Sequence, residues 1–214
     1  MNIILLILAL AFNFKANARE SAIEAVDKNN LRVCADPSNL PFSNEKGEGF
    51  ENEIANLLGE KLNIPVVYDF FPQVIGYVRN TLNKKKCDII IGITAGNELV
   101  LNTIPYMRWA YGMVYLKDSG IDVDRPDHPQ LAELSIGVQA GTPPTFVLQR
   151  YNLMGRVRPY NLTFDPRVAV IGETMIEDMI DGLIDIAFMS GPIASHYLNK
   201  KGYDKNKYVF IPLE

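Results

Sequence analysis

The stretch Leu31 to Leu62, LRVCADPSNLPFSNEKGEGFENEIANLLGEKL, decides the fold. Leu31, Val33 and Ala35 form a short apolar run that stops at Asp36-Pro37; proline has no N–H for a sheet ladder, so a buried strand ends there. Pro41, Gly47 and Gly49 mark a loop. From Phe50 the apolar residues Phe50, Ile54, Leu57, Leu58 and Leu62 fall on one helix face, with Glu51, Glu53, Asn56 and Glu60 on the other. Glu51 and Glu53 also lie in the first turn, where negative charge suits the helix dipole. Strand, loop and helix make the unit of an α/β sheet, whose ligands gather at loops after strand ends, so Asp36 to Gly49 is the first candidate binding edge.

Upstream, Ile3 to Phe12 is almost continuously apolar, too short to span a bilayer comfortably, and is followed by Ala16-Asn17-Ala18, a small-x-small cleavage pattern. We expect a signal peptide over residues 1–18, with an uncleaved anchor as the alternative, since the start carries no basic side chain. Without Lys15 the 21 basic side chains become 20 against 25 acidic ones, a formal charge of −5. That balance excludes a nucleic-acid binder, and the one basic run, Lys84-Lys85-Lys86, reads as a solvated turn. No later segment is long and apolar enough to cross a membrane. The two cysteines, Cys34 and Cys87, leave two readings open. Export and an even count favour a disulfide, whereas placement in parallel neighbouring strands would set them beyond the roughly 7 Å Cα limit.

Downstream, Pro65 to Phe71 reads as a strand, Val74 to Leu82 as a helix and Cys87 to Ile93 as a buried strand, so residues 19–117 make a βαβαβ first lobe. Thr94-Ala95-Gly96 leaves that lobe at its binding edge, where it serves either a polar ligand or a tight turn. Arg108 stands among Tyr106, Trp109 and Tyr111, placed to clamp a carboxylate or to snorkel beside the sheet. Asp118 to Gln130 breaks the pattern and opens a crossover linker and second lobe over 118–214. Its aspartates lack the glycine and terminal glutamate of a calcium loop, and no metal is expected.

Leu134 to Gln139 is the next strand, and Gly141-Thr142-Pro143-Pro144 opens a helix whose amides could favour an anion. Thr174 and Glu177 have capping-box spacing, ahead of a strand at Asp185 to Met189. NKKKCDIIIG and IDGLIDIAFMSG echo each other: both end a helix, put Asp at the strand start and finish on glycine. Only two histidines, His128 and His196, are present, so no catalytic set assembles and the chain reads as a non-enzyme.

These segments, with GVQAGTPPTFVL and the tyrosine-rich PYMRWAYGMVYL, resemble the quinoprotein dehydrogenase-associated periplasmic binding proteins, the MoxJ and XoxJ proteins of methanol-oxidation operons. That family is similar in turn to family 3 extracellular solute-binding proteins. The resemblance covers almost all of Leu31 to Leu213 and implies a type II periplasmic binding fold, two α/β lobes around a cleft. It implies a periplasmic accessory of a pyrroloquinoline-quinone (PQQ) methanol or alcohol dehydrogenase, engaging that enzyme during maturation or activation, with no cofactor of its own. The alternative is a transport receptor for a small polar solute.

Cleft candidates are Asp36, Asn39, Phe42, Glu51, Thr94, Ala95, Arg108 and Tyr111 from lobe one, and Gly141, Thr142, Pro143, Ser190 and Gly191 from lobe two. Two departures qualify the likeness. Amino-acid binders of the wider group carry an acid and arginine pair where this chain has Gly96-Asn97-Glu98, and often an aspartate near Ser190. The cleft is therefore expected to be apolar and to suit a polypeptide segment. The sequence also stops at YVFIPLE, where the return to lobe one would begin, so an exposed apolar surface is expected on lobe one.

Overall fold

The computed structural model describes residues 27–161 and 170–213; the expected signal peptide lies outside them. In chain order the elements are β1 (Leu31–Ala35), β2 (Ser38–Asn39), β3 (Ser43–Asn44), α1 (Phe50–Leu62), β4 (Val66–Phe70), α2 (Tyr77–Asn80) and β5 (Ile89–Ile90). There follow β6 (Tyr111–Leu116), β7 (Ile136–Gln139), α3 (Pro143–Arg150), β8 (Val157–Tyr160), α4 (Ile171–Ile180), β9 (Ile186–Ser190), α5 (Gly191–Lys200) and β10 (Tyr208–Pro212).

Two separate sheets carry these strands. The first is parallel, in the order β4-β1-β5, with Val33 opposite Tyr68 and Ile89. The second has the order β10-β6-β9-β7-β8; β7 runs parallel to β8 and β9, and β6 antiparallel to β9 and β10. Because β6 is built into the second sheet, the change of lobe falls before Tyr111 and not at residue 117 as expected from sequence. The final strand β10 pairs with β6, and the Leu213 N–H donates to the Tyr111 carbonyl at 2.8 Å. The second sheet is buried on both faces: Met113, Ile136, Val138 and Phe188 pack on one side, Val114, Ala187 and Met189 on the other beneath α4 and α5. That is the period-two alternation of strands covered twice.

Helix α1 turns a different face inward from the one its leucines suggest. Glu51, Asn52, Ala55 and Gly59 are buried, while Leu57, Leu58 and Leu62 are 52%, 39% and 58% exposed. Close approach decides this: a Cβ on Gly59 would stand 2.6 Å from Val66 Cγ2, and one on Gly49 2.1 Å from the Phe42 carbonyl. The Asn52 side chain accepts the Gly49 and Asn44 N–H groups at 3.1 Å and fixes the helix start. Three further elements differ from expectation. The helix read over Val74 to Leu82 shortens to α2 and a 3-10 turn at Leu82–Lys84. The strand read from Cys87 shortens to β5. Thr174 and Glu177 lie inside α4, whose N-cap is Val170, so they form no capping box.

Cys34 and Cys87 are joined in a disulfide with a Cα separation of 5.5 Å. Cys87 precedes the strand instead of opening it, so the register that would have kept the two apart does not bind it. The repeated Asp has a structural basis. Asp88 N–H donates to the Arg32 carbonyl at 2.9 Å and Asp88 Oδ2 accepts the Arg32 N–H at 3.3 Å. Asp185 makes the same reciprocal pair with Ser135, at 2.8 and 2.7 Å. Each aspartate clasps the start of the neighbouring strand.

Candidate functional site

A cleft of about 310 Å³ lies where the loops after β1, β4 and β5 face the starts of α3, α4 and α5. Asp36, Asn39, Phe42, Glu51 and Thr94 line it from the first lobe, Tyr111 from the crossing strand, and Thr142 and Ser190 from the second lobe. Ala95, Arg108 and Pro143 line a neighbouring groove instead, and Gly141 and Gly191 line neither cavity. The Gly191 N–H is used by the Ala110 carbonyl at 3.0 Å, and Gly141 makes a turn at a φ of 75°. Thr94 to Asn97 is the tight turn left open by the sequence, its Asn97 N–H donating to the Thr94 carbonyl at 3.2 Å.

Sequence reasoning missed Gln73, Trp109, Ile193 and Tyr197 as lining residues. For two of them a signal existed. Ile193 and Tyr197 follow Ser190 at i+3 and i+7, one face of the helix that Ser190 caps.

Two buried carboxyls shape the cleft chemistry. Asp36 Oδ1 accepts the Ser38 N–H at 2.8 Å and Oδ2 the Gln73 N–H at 2.6 Å, tying two loops together. Burial raises its pKa, and these N–H groups pull against that. Glu51 is 5% exposed and lies against Gly92, where a Cβ would come 2.1 Å from Glu51 Oε1. Among the described residues its side chain has one hydrogen bond, from the Tyr106 hydroxyl to Oε1 at 3.1 Å. Burial pushes its pKa up to about 7, the Tyr106 bond opposes this, and the nearby Asp36 charge adds to it.

The remaining wall is aromatic and hydroxylic. Phe42 packs on Trp109 with ring centroids 5.1 Å apart and on Phe50 at 5.2 Å. Ser190 is buried, and its Oγ has no hydrogen-bond partner among the described residues. The apolar cleft expected from sequence is thus corrected: it carries two acids and a free hydroxyl. Among the described residues no Lys, Arg or His lines it. The anion-binding helix start is also corrected, because Pro143 and Pro144 have no N–H and the Thr145 N–H goes to the Thr142 carbonyl at 3.0 Å. The Thr142 hydroxyl donates to the Gln139 carbonyl at 2.6 Å.

The groove beside the cleft measures about 660 Å³ and is walled by Ile54, Leu58, Ile89, Ile91, Ile93 and Leu101. It is the open apolar surface expected on lobe one. Leu101, which lines it, is 99% exposed, and Ile104 nearby in sequence is 90% exposed. Among the described residues no cluster of three or more His, Cys, Asp or Glu could hold a metal, and no helix is long and apolar enough to cross a membrane.

No family model matches the chain. It is 31% identical over 183 residues to the protein MoxJ of Paracoccus denitrificans, covering 80% of this chain and 66% of that protein. To the MoxJ protein of Methylorubrum extorquens it is 28% identical over 205 residues, covering 89% of this chain and 66% of that one. The chain therefore spans 66% of the length of these curated relatives. The crystal structure of periplasmic binding protein XoxJ from Methylobacterium extorquens AM1 superposes with a TM-score of 0.69 at 37% identity, covering 86% of this chain and 77% of that one. The α/β type II binding architecture is shared with that structure.

Proposed function

This chain belongs to the MoxJ and XoxJ family of periplasmic binding proteins, and from that premise we propose that it assists a quinoprotein methanol or alcohol dehydrogenase. On this reading it is a periplasmic binding protein without catalysis of its own, and it engages the dehydrogenase polypeptide while that enzyme matures or is activated. The observation that carries the reading is that, among the described residues, no guanidinium or ammonium lines the cleft. A free amino acid would find no cation among those residues for its carboxylate, and Arg108, the candidate clamp, opens on the neighbouring groove.

Co-purification of the full chain with the apo-dehydrogenase tests the proposal. Co-elution at micromolar protein supports it, and elution as separate species overturns it. The second reading, a receptor for a small polar solute, is favoured by the cleft volume, which suits a molecule of that size. A thermal-shift screen against amino acids and organic acids separates the two, since a ligand at a hundred times its Kd stabilises by about 2.7 kcal/mol.

A further inference from the structure

We propose that the cleft is a site for a primary alkylammonium group, held by Glu51 and Asp36 on one wall and by Ser190 on the other, with Phe42, Trp109 and Tyr111 around its apolar stem. The inference stands on the chemistry of the cleft and holds whether or not a dehydrogenase is the partner.

Acceptors dominate the site, and they are underused. Glu51, 5% exposed, receives a single hydrogen bond at Oε1, which leaves Oε2 unpartnered among the described residues. Ser190, also 5% exposed, has an unpartnered Oγ on the opposite wall. Asp36 accepts one N–H on each oxygen and keeps further lone-pair capacity. An ammonium has three N–H donors and no acceptor. A buried carboxyl with an empty oxygen is costly unless a donor or cation arrives.

Anions are disfavoured by the same walls. Two of the three helix starts facing the cleft have few donors, α3 with Pro143 and Pro144, and α5 with Pro192 and the Gly191 N–H spent on Ala110, while α4 opens on Ile171 and Gly172 and keeps its amides. The carboxyls of Asp36 and Glu51, to the extent that they are ionised, oppose an anion there. Aromatic faces complete the case, because their negative faces attract a cation above them. Glu51 is in part protonated near neutrality, and the arriving cation releases that proton and takes its place.

The source of the ammonium is either a free amine or a lysine side chain on a polypeptide, and the test has an arm for each. The full chain is titrated by calorimetry with n-butylammonium, with n-butanol as the neutral isostere, and with a blocked Gly-Lys-Gly peptide beside blocked Gly-norleucine-Gly. Saturable binding of butylammonium or of the lysine peptide, without binding of its neutral counterpart, supports the site, and the arm that responds names the source. Glu51→Gln, checked for folding by circular dichroism, is expected to weaken that binding about tenfold or more. Ser190→Ala, a smaller change on the other wall, is expected to weaken it about threefold. Equal binding of charged and neutral probes, binding of neither ammonium probe, or unchanged affinity in a folded Glu51→Gln protein overturns the proposal.

Discussion

Glu51 and Gly92 show how one side chain can set the backbone of another. Gly92 has a φ of 87° and stands so near Glu51 that an added Cβ would overlap Oε1, whereas Gly47, at a φ of 76°, has open space around it. Gly47→Ala should therefore cost only the left-handed backbone penalty of about 1 kcal/mol. Gly92→Ala should cost about 3 kcal/mol or more, because the clash is added to the strain; urea denaturation of the two variants measures the difference. Glu51 also predicts a pH dependence. Its carboxyl goes from an ordinary value of 4.5 to about 7 on folding, so the native state binds more protons than the unfolded one between those values. Stability from this group is present below pH 4.5 and is lost as pH rises to about 7. The loss is on the order of 3 kcal/mol, one pKa unit being about 1.4 kcal/mol. Glu51→Gln should flatten that part of the stability profile in urea melts taken from pH 4.5 to 7.5.

At the scale of elements, α1 tests what periodicity can say. Its leucines trace a helical face, yet the sheet takes Ala55 and Gly59, small residues that add little to an apolar pattern but let the backbones approach. Ala55→Leu should cost about 1–3 kcal/mol by overpacking. Leu58→Lys should stay within about 0.5 kcal/mol, as a surface change; thermal melts of the two variants reverse the order that hydrophobicity alone implies. The strands β1, β4, β7 and β9 were legible in the sequence because each is a short β-branched or aromatic run bounded by Pro, Asp or Gly, whereas β6 was read only as an aromatic-rich stretch around Arg108 and not as a strand. β5 and α2 were overread because apolar residues around Cys87 to Ile93 and Val74 to Leu82 serve loops packed over the sheet edge, and burial in a loop looks like burial in a strand. The site divided in the same way. Loops after strand ends announced Asp36, Asn39 and Thr94, but the exclusion of Arg108 depended on how the segment before β6 crosses between sheets, which no local pattern encodes.

For the whole molecule, the two sheets are unequal. The described core of the second is built on both faces from long side chains such as Met113, Phe188, Met175 and Ile176, while that of the first rests on two small clusters around Val33 and Cys34. A disulfide closing 53 residues offsets that weakness, contributing about 4 kcal/mol in the chain-entropy account. Reduction should accordingly loosen the first lobe before the second. Hydrogen exchange in reductant should show amides of β1 and β4 losing protection while those of β7 and β9 keep it. Simultaneous loss in both sheets would show a single cooperative unit instead. The Leu213 contact with Tyr111 also bears on how the protein can be handled. A dye attached at Leu213 would sit beside Tyr111, which lines the cavity, and crowd its mouth, whereas one placed near Lys205, ahead of the opposite end of β10, would leave that mouth clear.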